Sequence, residues 1–162
     1  MRLKNFLFGC ISLTLCNCSG GFSKGVKKDL STGLTSSYNG FAVDDIYLAV
    51  DDTKLSTNKI ALGKKVDLIA DGVDYYQLKD GKVNPGCRII LTDKAGKEIL
   101  NLPDAFAEQA ALDKTKAALL RATLTTGSPM QAGATYHLNV RFFDKNKKES
   151  EIVSDVDLVM KE

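Results

Sequence analysis

The sequence predicts a mainly β fold, an antiparallel sandwich around one core, and three observations carry that prediction. From Phe41 onward the apolar residues come in short runs cut by turn residues. Asp71-Gly72 and Asp80-Gly81 mark tight reversals, because glycine accepts the positive φ such turns need. Tyr136, Leu138, Val140 and Phe142 alternate with His137, Asn139 and Arg141, the period of a strand with one buried and one wet face. A length of 162 residues suits a single core and is short for two ordinary domains. An apolar fraction of 44% and a charged fraction of 26% lie near globular averages, which argues against a disordered or wholly membrane-embedded body.

The elements follow in order. Phe41, Val43, Ile46, Leu48 and Val50 form a first strand, with an irregularity at Asp44-Asp45 where alternation breaks. Ile60, Leu62, Val66, Leu68 and Ala70 come next, around Gly63-Lys64-Lys65. Val73, Tyr75, Tyr76 and Leu78 lie between the two Asp-Gly turns. After Pro85-Gly86, Ile89-Ile90-Leu91 and Glu98-Ile99-Leu100 read as a hairpin closed at Asp93-Lys94-Ala95-Gly96. The stretch from Pro103 to about Arg121 is rich in Ala, Leu, Glu, Gln and Lys, and predicts one helix or two short turns opened by Pro103. Such a helix would plug one end of the sandwich; a partner-binding helix is the alternative. Leu124 to Thr126 is a further strand, then Tyr136 to Phe142. A turn at Asp144-Lys145-Asn146-Lys147-Lys148 leads to a last strand with Ile152, Val156, Leu158 and Met160. About seven strands joined by tight turns indicate an immunoglobulin-like sandwich with one short helical insertion, although the paired cysteines and tryptophan of true immunoglobulin domains are missing.

The N-terminus reads as an address. Arg2 and Lys4 precede a mostly apolar run from Phe6 to Leu15, too short to span a bilayer and of the length of a signal-peptide core. Leu15-Cys16-Asn17-Cys18 follows, then a Ser, Gly and Lys rich stretch. Leu15 three residues before Cys18 resembles the lipobox of bacterial lipoproteins, which implies lipidation of the Cys18 thiol and cleavage before it. Cys16 is the rival acceptor. Cys18 is preferred because small residues follow it, whereas Cys16 would put bulky Leu15 at the cleavage site. The expected organisation is a signal peptide over 1–17, a flexible tether over 18–37 and a sandwich domain over 38–162.

Cysteine use agrees. Cys10 and Cys16 leave with the signal and Cys18 carries lipid, so Cys87 stands alone in the domain. It reads as a small buried apolar residue, and the fold must rest on its core without an intrachain disulfide. The chain holds 22 basic and 20 acidic residues; without Arg2 and Lys4 the mature chain carries 20 of each. A neutral surface lacks the basic stripe that nucleic acid requires, so no nucleic-acid partner is expected.

Most chemistries lack their parts. The sequence has one histidine and one cysteine outside the N-terminal segment, which excludes a zinc site of Cys/His type and a Cys/His dyad. There is no Gly-Xaa-Ser-Xaa-Gly elbow and no Gly-rich phosphate loop, and no cofactor is indicated. Alternation places His137 on the wet face. Asp44-Asp45 and Asp51-Asp52 are the visible carboxylate pairs, but strand neighbours point to opposite faces. Those acids, with Asp71, Asp74 and Asp93, are the calcium candidates, although no twelve-residue calcium loop is present. Tyr75 and Tyr76, with Tyr47, are the candidate stacking platform for a sugar, one of the two adjacent rings being expected to face inward.

These features predict a lipid-anchored, non-enzymatic envelope protein that works in binding or assembly, with a carbohydrate-binding module as the alternative. Resemblance to lipoproteins implies the outer membrane, since Ser19 and not Asp follows Cys18; the tether has no acidic run, which points to the periplasmic face. Asp80-Gly81-Lys82 and Asp144-Lys145 also resemble segments of small envelope lipoproteins with a β-sandwich domain, a resemblance that names no activity. Some such lipoproteins serve secretion or motility machines, so envelope proteins are the expected partners, with a glycan as the second class.

Overall fold

Eleven strands run through residues 23–162, the part of the chain that the computed structural model describes. They are β1 (Lys24–Asp29), β2 (Leu34–Asn39), β3 (Asp45–Val50), β4 (Thr53–Lys54), β5 (Lys59–Ala61), β6 (Lys65–Asp71), β7 (Pro85–Asp93), β8 (Glu98–Leu102), β9 (Leu119–Thr125), β10 (Thr135–Asp144) and β11 (Lys147–Lys161). The signal segment 1–17 and Cys18 lie outside the described residues. A large sheet has the order β1-β2-β11-β10-β7-β8, with β5 parallel to the end of β11, and a small sheet has the order β4-β3-β6-β9. Every other ladder is antiparallel among the described residues. The fold is thus mainly β, and the inner faces of its two sheets share one core.

The clearest alternation in the sequence becomes the central strand of the large sheet. Tyr136, Leu138, Val140 and Phe142 of β10 are buried, as are Ile152, Val156 and Leu158 of β11. They meet Leu48, Leu68 and Leu120 of the small sheet, and each such side chain contributes about 1.5–3 kcal/mol through burial. Gly86 on β7 lies beneath the Phe143 ring, in the space a Cβ would fill. A glycine there lets the ring lie flat on the sheet.

Three expectations are corrected, the first being the count of about seven strands, where eleven form among the described residues. The supposed tether is structured from Lys24: β1 and β2 form a hairpin, and β2 pairs with β11 from Asn39 opposite Glu151 to Thr35 opposite Asp155. Its inward residues include Ser36, whose hydroxyl meets that of Ser154 at 2.8 Å, so the burial is partly polar and leaves no apolar period in the sequence. Of the one helix or two short turns expected over 103–121, the turns are what forms, at 105–108 and as a 3-10 turn at Lys114–Ala117, and Leu119 already opens β9. The Asp104 carboxylate accepts hydrogen bonds from the Cys87 and Phe106 amides at 3.0 and 2.9 Å, and Leu112 bridges Val83, so tertiary contacts spaced wider than a helical turn hold the segment open. Residues 73–78 form a loop tied by the isolated bridge from Ala42 to Asp74.

Candidate functional site

Strand alternation sends His137, Asn139 and Arg141 of β10 to the outer face of the large sheet, and the register sets His137 opposite Asp157 and Asn139 opposite Asp155 on β11. The His137 ring is held at both nitrogens, with Nδ1 3.0 Å from Asp157 Oδ1 and Nε2 3.2 Å from Asp155 Oδ1. Asn139 Nδ2 donates to the same Asp155 oxygen at 2.8 Å, and Arg88 Nη2 donates to Asn139 Oδ1 at 3.3 Å. An unbroken polar chain therefore crosses β11, β10 and β7. Beside it Thr35, Gly33 and Asn58 complete a shallow open depression of about 340 Å³, and Asn58 Nδ2 donates to the Asp157 carbonyl at 2.8 Å. Arg141 extends the row, with Nε bonded to Glu151 and its guanidinium 5.0 Å from the Phe143 ring centre.

An imidazole can donate from both nitrogens only when protonated. The hydrogen bond to Asp157 raises the His137 pKa above its ordinary value; partial burial opposes this, and Asp155 adds to the rise. Because the folded pKa is raised, the stabilisation is fully present below the unfolded value of about 6.5 and is lost as pH rises through the folded one. His137 is the sole histidine of the sequence, so its titration can be followed without assignment. Its ring-proton NMR shifts are expected to titrate with a midpoint above 6.5, and Asp157→Asn is expected to lower that midpoint; an unchanged midpoint would contradict this geometry.

The other candidates take different places. Tyr76 is in the core, its ring edge-on to Phe41 at 4.9 Å and its hydroxyl donating to the Ala117 carbonyl at 2.9 Å. Burial raises its pKa, and the charges of Asp144 and Asp74 add to the effect. Tyr75 is exposed at φ 69°, and Tyr47 lies with the Lys54 ammonium 4.8 Å from its ring centre. The expected Tyr75 and Tyr76 platform is corrected: the inward ring is Tyr76, as expected of one of the pair, and a single exposed ring remains, too little for a stacking platform. Cys87 is fully buried and burial pushes its thiol up to about 12, with Asp104 adding to the shift, so it stays protonated and unreactive at neutral pH.

The conspicuous carboxylates serve local geometry. Asp51 and Asp52 both have positive φ, 50° and 58°, as the two central residues of a tight hairpin require. Asp45 pairs with Lys54 at 2.7 Å, Asp74 pairs with Lys114 at 2.7 Å, and Asp93 accepts from the Ala95 and Lys97 amides. On the outer face of the small sheet, Arg121 bridges Asp67 and Asp52 at 2.5 and 2.8 Å while the Thr123 hydroxyl donates to Asp67 at 2.6 Å. Sequence reading missed Asp155, Asp157 and Asp67. The available signal for the first two was their alternation with Val156 and Leu158, which marks them as outward on the last strand.

No family model and no curated protein matches this chain. Among solved structures, the crystal structure of the C-terminal domain of wzt is similar over 88% of this chain and 80% of that one, at 10% identity and a TM-score of 0.49. That similarity assigns neither family nor ligand.

Proposed function

We propose that this chain is a non-enzymatic binding module of the bacterial envelope, that its ligand-facing surface is the outer face of the large sheet around His137, and that its ligand is polyhydroxylated, a glycan. In this reading the sandwich is of immunoglobulin-like type, and lipid on Cys18 holds it at the periplasmic face of the outer membrane. The observation that carries the reading is the polar row Asp157, His137, Asp155, Asn139 and Arg88, whose first three members line a shallow open depression. Sugar hydroxyls donate and accept at once. Carboxylates take their protons, while amide and guanidinium groups donate to their oxygens. A protein partner bound through a hot spot would call instead for a desolvated aromatic or apolar anchor, which this row does not offer.

Affinity electrophoresis through gels containing envelope polysaccharides tests the assignment. The native protein is expected to be retarded, Asp155→Asn and His137→Ala to lose about tenfold or more of that affinity, and Tyr75→Ala to keep it. Absence of retardation on every glycan, with co-purification of an envelope protein that survives Asp155→Asn, would favour assembly instead. Mass spectrometry of the mature N-terminus tests the anchor: a diacylglyceryl Cys18 is expected.

A further inference from the structure

Among the described residues β1 is an edge strand, with β2 on one side and no strand on the other. Alternation lines up Lys24, Val26, Lys28 and, in the following turn, Leu30 as its exposed residues, with Val26 62% and Leu30 93% exposed. Lysines on a bare edge protect against edge-to-edge aggregation, but that role does not call for bare apolar side chains between them. Lysine ion pairs among the described residues use Lys54, Lys64, Lys82, Lys114 and Lys145, and Lys24 and Lys28 take no part. Asp29 is turned into its own hairpin, accepting from Ser31 and Thr32. Glu151 on β11 shares a surface depression with Lys24 and Val26, and Asp45 shares one with Lys28. The hairpin from Lys24 to Asn39 carries three lysines against the one carboxylate of Asp29, and its exposed apolar and lysine side chains suit the headgroup level of an anionic bilayer: the short apolar groups enter the boundary and the ammonium groups reach the phosphates.

We infer that the β1–β2 hairpin docks on the anionic phospholipid headgroups of the membrane that holds Cys18, through the β1 margin of the outer face of the large sheet. The geometry rests on the lipid-anchored reading. Six residues from Cys18 to Lys24 span about 20 Å at most, so the strand is presented to that surface at high effective concentration. β10 is three strand spacings from that margin, about 14 Å, and His137 lies on the same face as Lys24, Val26 and Lys28.

The sequence has no tryptophan, so Leu30→Trp makes a single reporter at an exposed position. The lipidated chain carrying it is mixed with phosphatidylglycerol/phosphatidylethanolamine vesicles with brominated acyl chains, and separately with phosphatidylcholine vesicles. On the anionic vesicles the emission is expected to shift to the blue and be quenched, and adding Lys24→Glu and Lys28→Glu is expected to cut the quenching about fivefold or more. A chain that sediments with anionic vesicles while its tryptophan stays in water, or is quenched equally on phosphatidylcholine, overturns the docking and leaves the anchor standing. Failure to sediment would sink the anchor instead; docking is then decided by the tryptophan shift in the anionic suspension, whose absence overturns it.

Discussion

Replacing Phe142 with alanine is expected to lower the unfolding free energy by about 4 kcal/mol. Phe142 is fully buried at the middle of the large sheet, between Ile152 on β11 and Cys87 on β7. Its ring also stacks on Phe106 at 6.3 Å and an interplanar angle of 24°, which pins the segment after Pro103 against the core. Truncation therefore removes a large apolar group, leaves a cavity between rigid strands that cannot collapse, and releases that segment. Urea unfolding is expected to show a lower midpoint at an unchanged slope, and amide exchange at Phe106 and Gln109 is expected to speed up. Phe142→Leu, which refills most of the space, is expected to cost clearly less. A loss under about 1.5 kcal/mol for Phe142→Ala would mean that this ring is not the centre of the core.

The same strand shows how much of the molecule the sequence made legible. Its alternation identified the buried face and placed His137 on the wet one, because period 2 depends only on the pleat and needs no knowledge of the partners. The partners depended on register, and there the sequence misleads. Asp144 opposite Lys147 closes the hairpin, and an uninterrupted ladder counted from that pair would set Ser154 opposite His137. The irregularity after Phe143 shifts the ladder, so that Asp157 stands there instead and Ser154 turns into the core. A three-residue shift exchanges the faces of the whole strand, and nothing in Lys148-Glu149-Ser150 announces it. The carboxylates around His137 were thus visible as residues but not as neighbours.

Elsewhere the limits have other causes. β1 and β2 looked like a tether because Lys24 to Asp29 has no apolar alternation, as befits an edge strand, and because the inward Ser36 is satisfied by another serine. The segment from Pro103 has helix-forming composition, yet Phe106, Leu112 and Leu120 lie six and eight residues apart and bind separate parts of the core. Composition describes what a segment would do alone, and here the core decides. The Tyr75-Tyr76 pair was split by the loop itself: the positive φ of Tyr75 turns the chain so that Tyr76 enters the core.

That loop is held by a group no motif would single out, and removing it is the second large effect expected. Asp144 is 1% exposed, and its two carboxylate oxygens accept from the Gln77 amide at 2.7 Å and the Asn146 amide at 2.9 Å. Asn146 returns the link by donating its side-chain amide to the Gln77 carbonyl at 3.0 Å, so the 75–78 loop and the β10–β11 turn are stitched through the side chains of Asp144 and Asn146. Asp144→Ala strands two N–H groups at once, each worth about 1–3 kcal/mol when it loses a charged acceptor, and a total loss of about 3 kcal/mol is expected. Asp144→Asn keeps one carbonyl oxygen and is expected to cost about half as much, with amide exchange accelerated at Asn146 or Gln77 but not at both. Equal costs for the two variants would mean that the negative charge of Asp144, and not its pair of acceptors, holds the loop. Whichever holds, both variants are expected to leave Tyr76 easier to ionise, since the Asp144 charge helps to raise its pKa in the native protein.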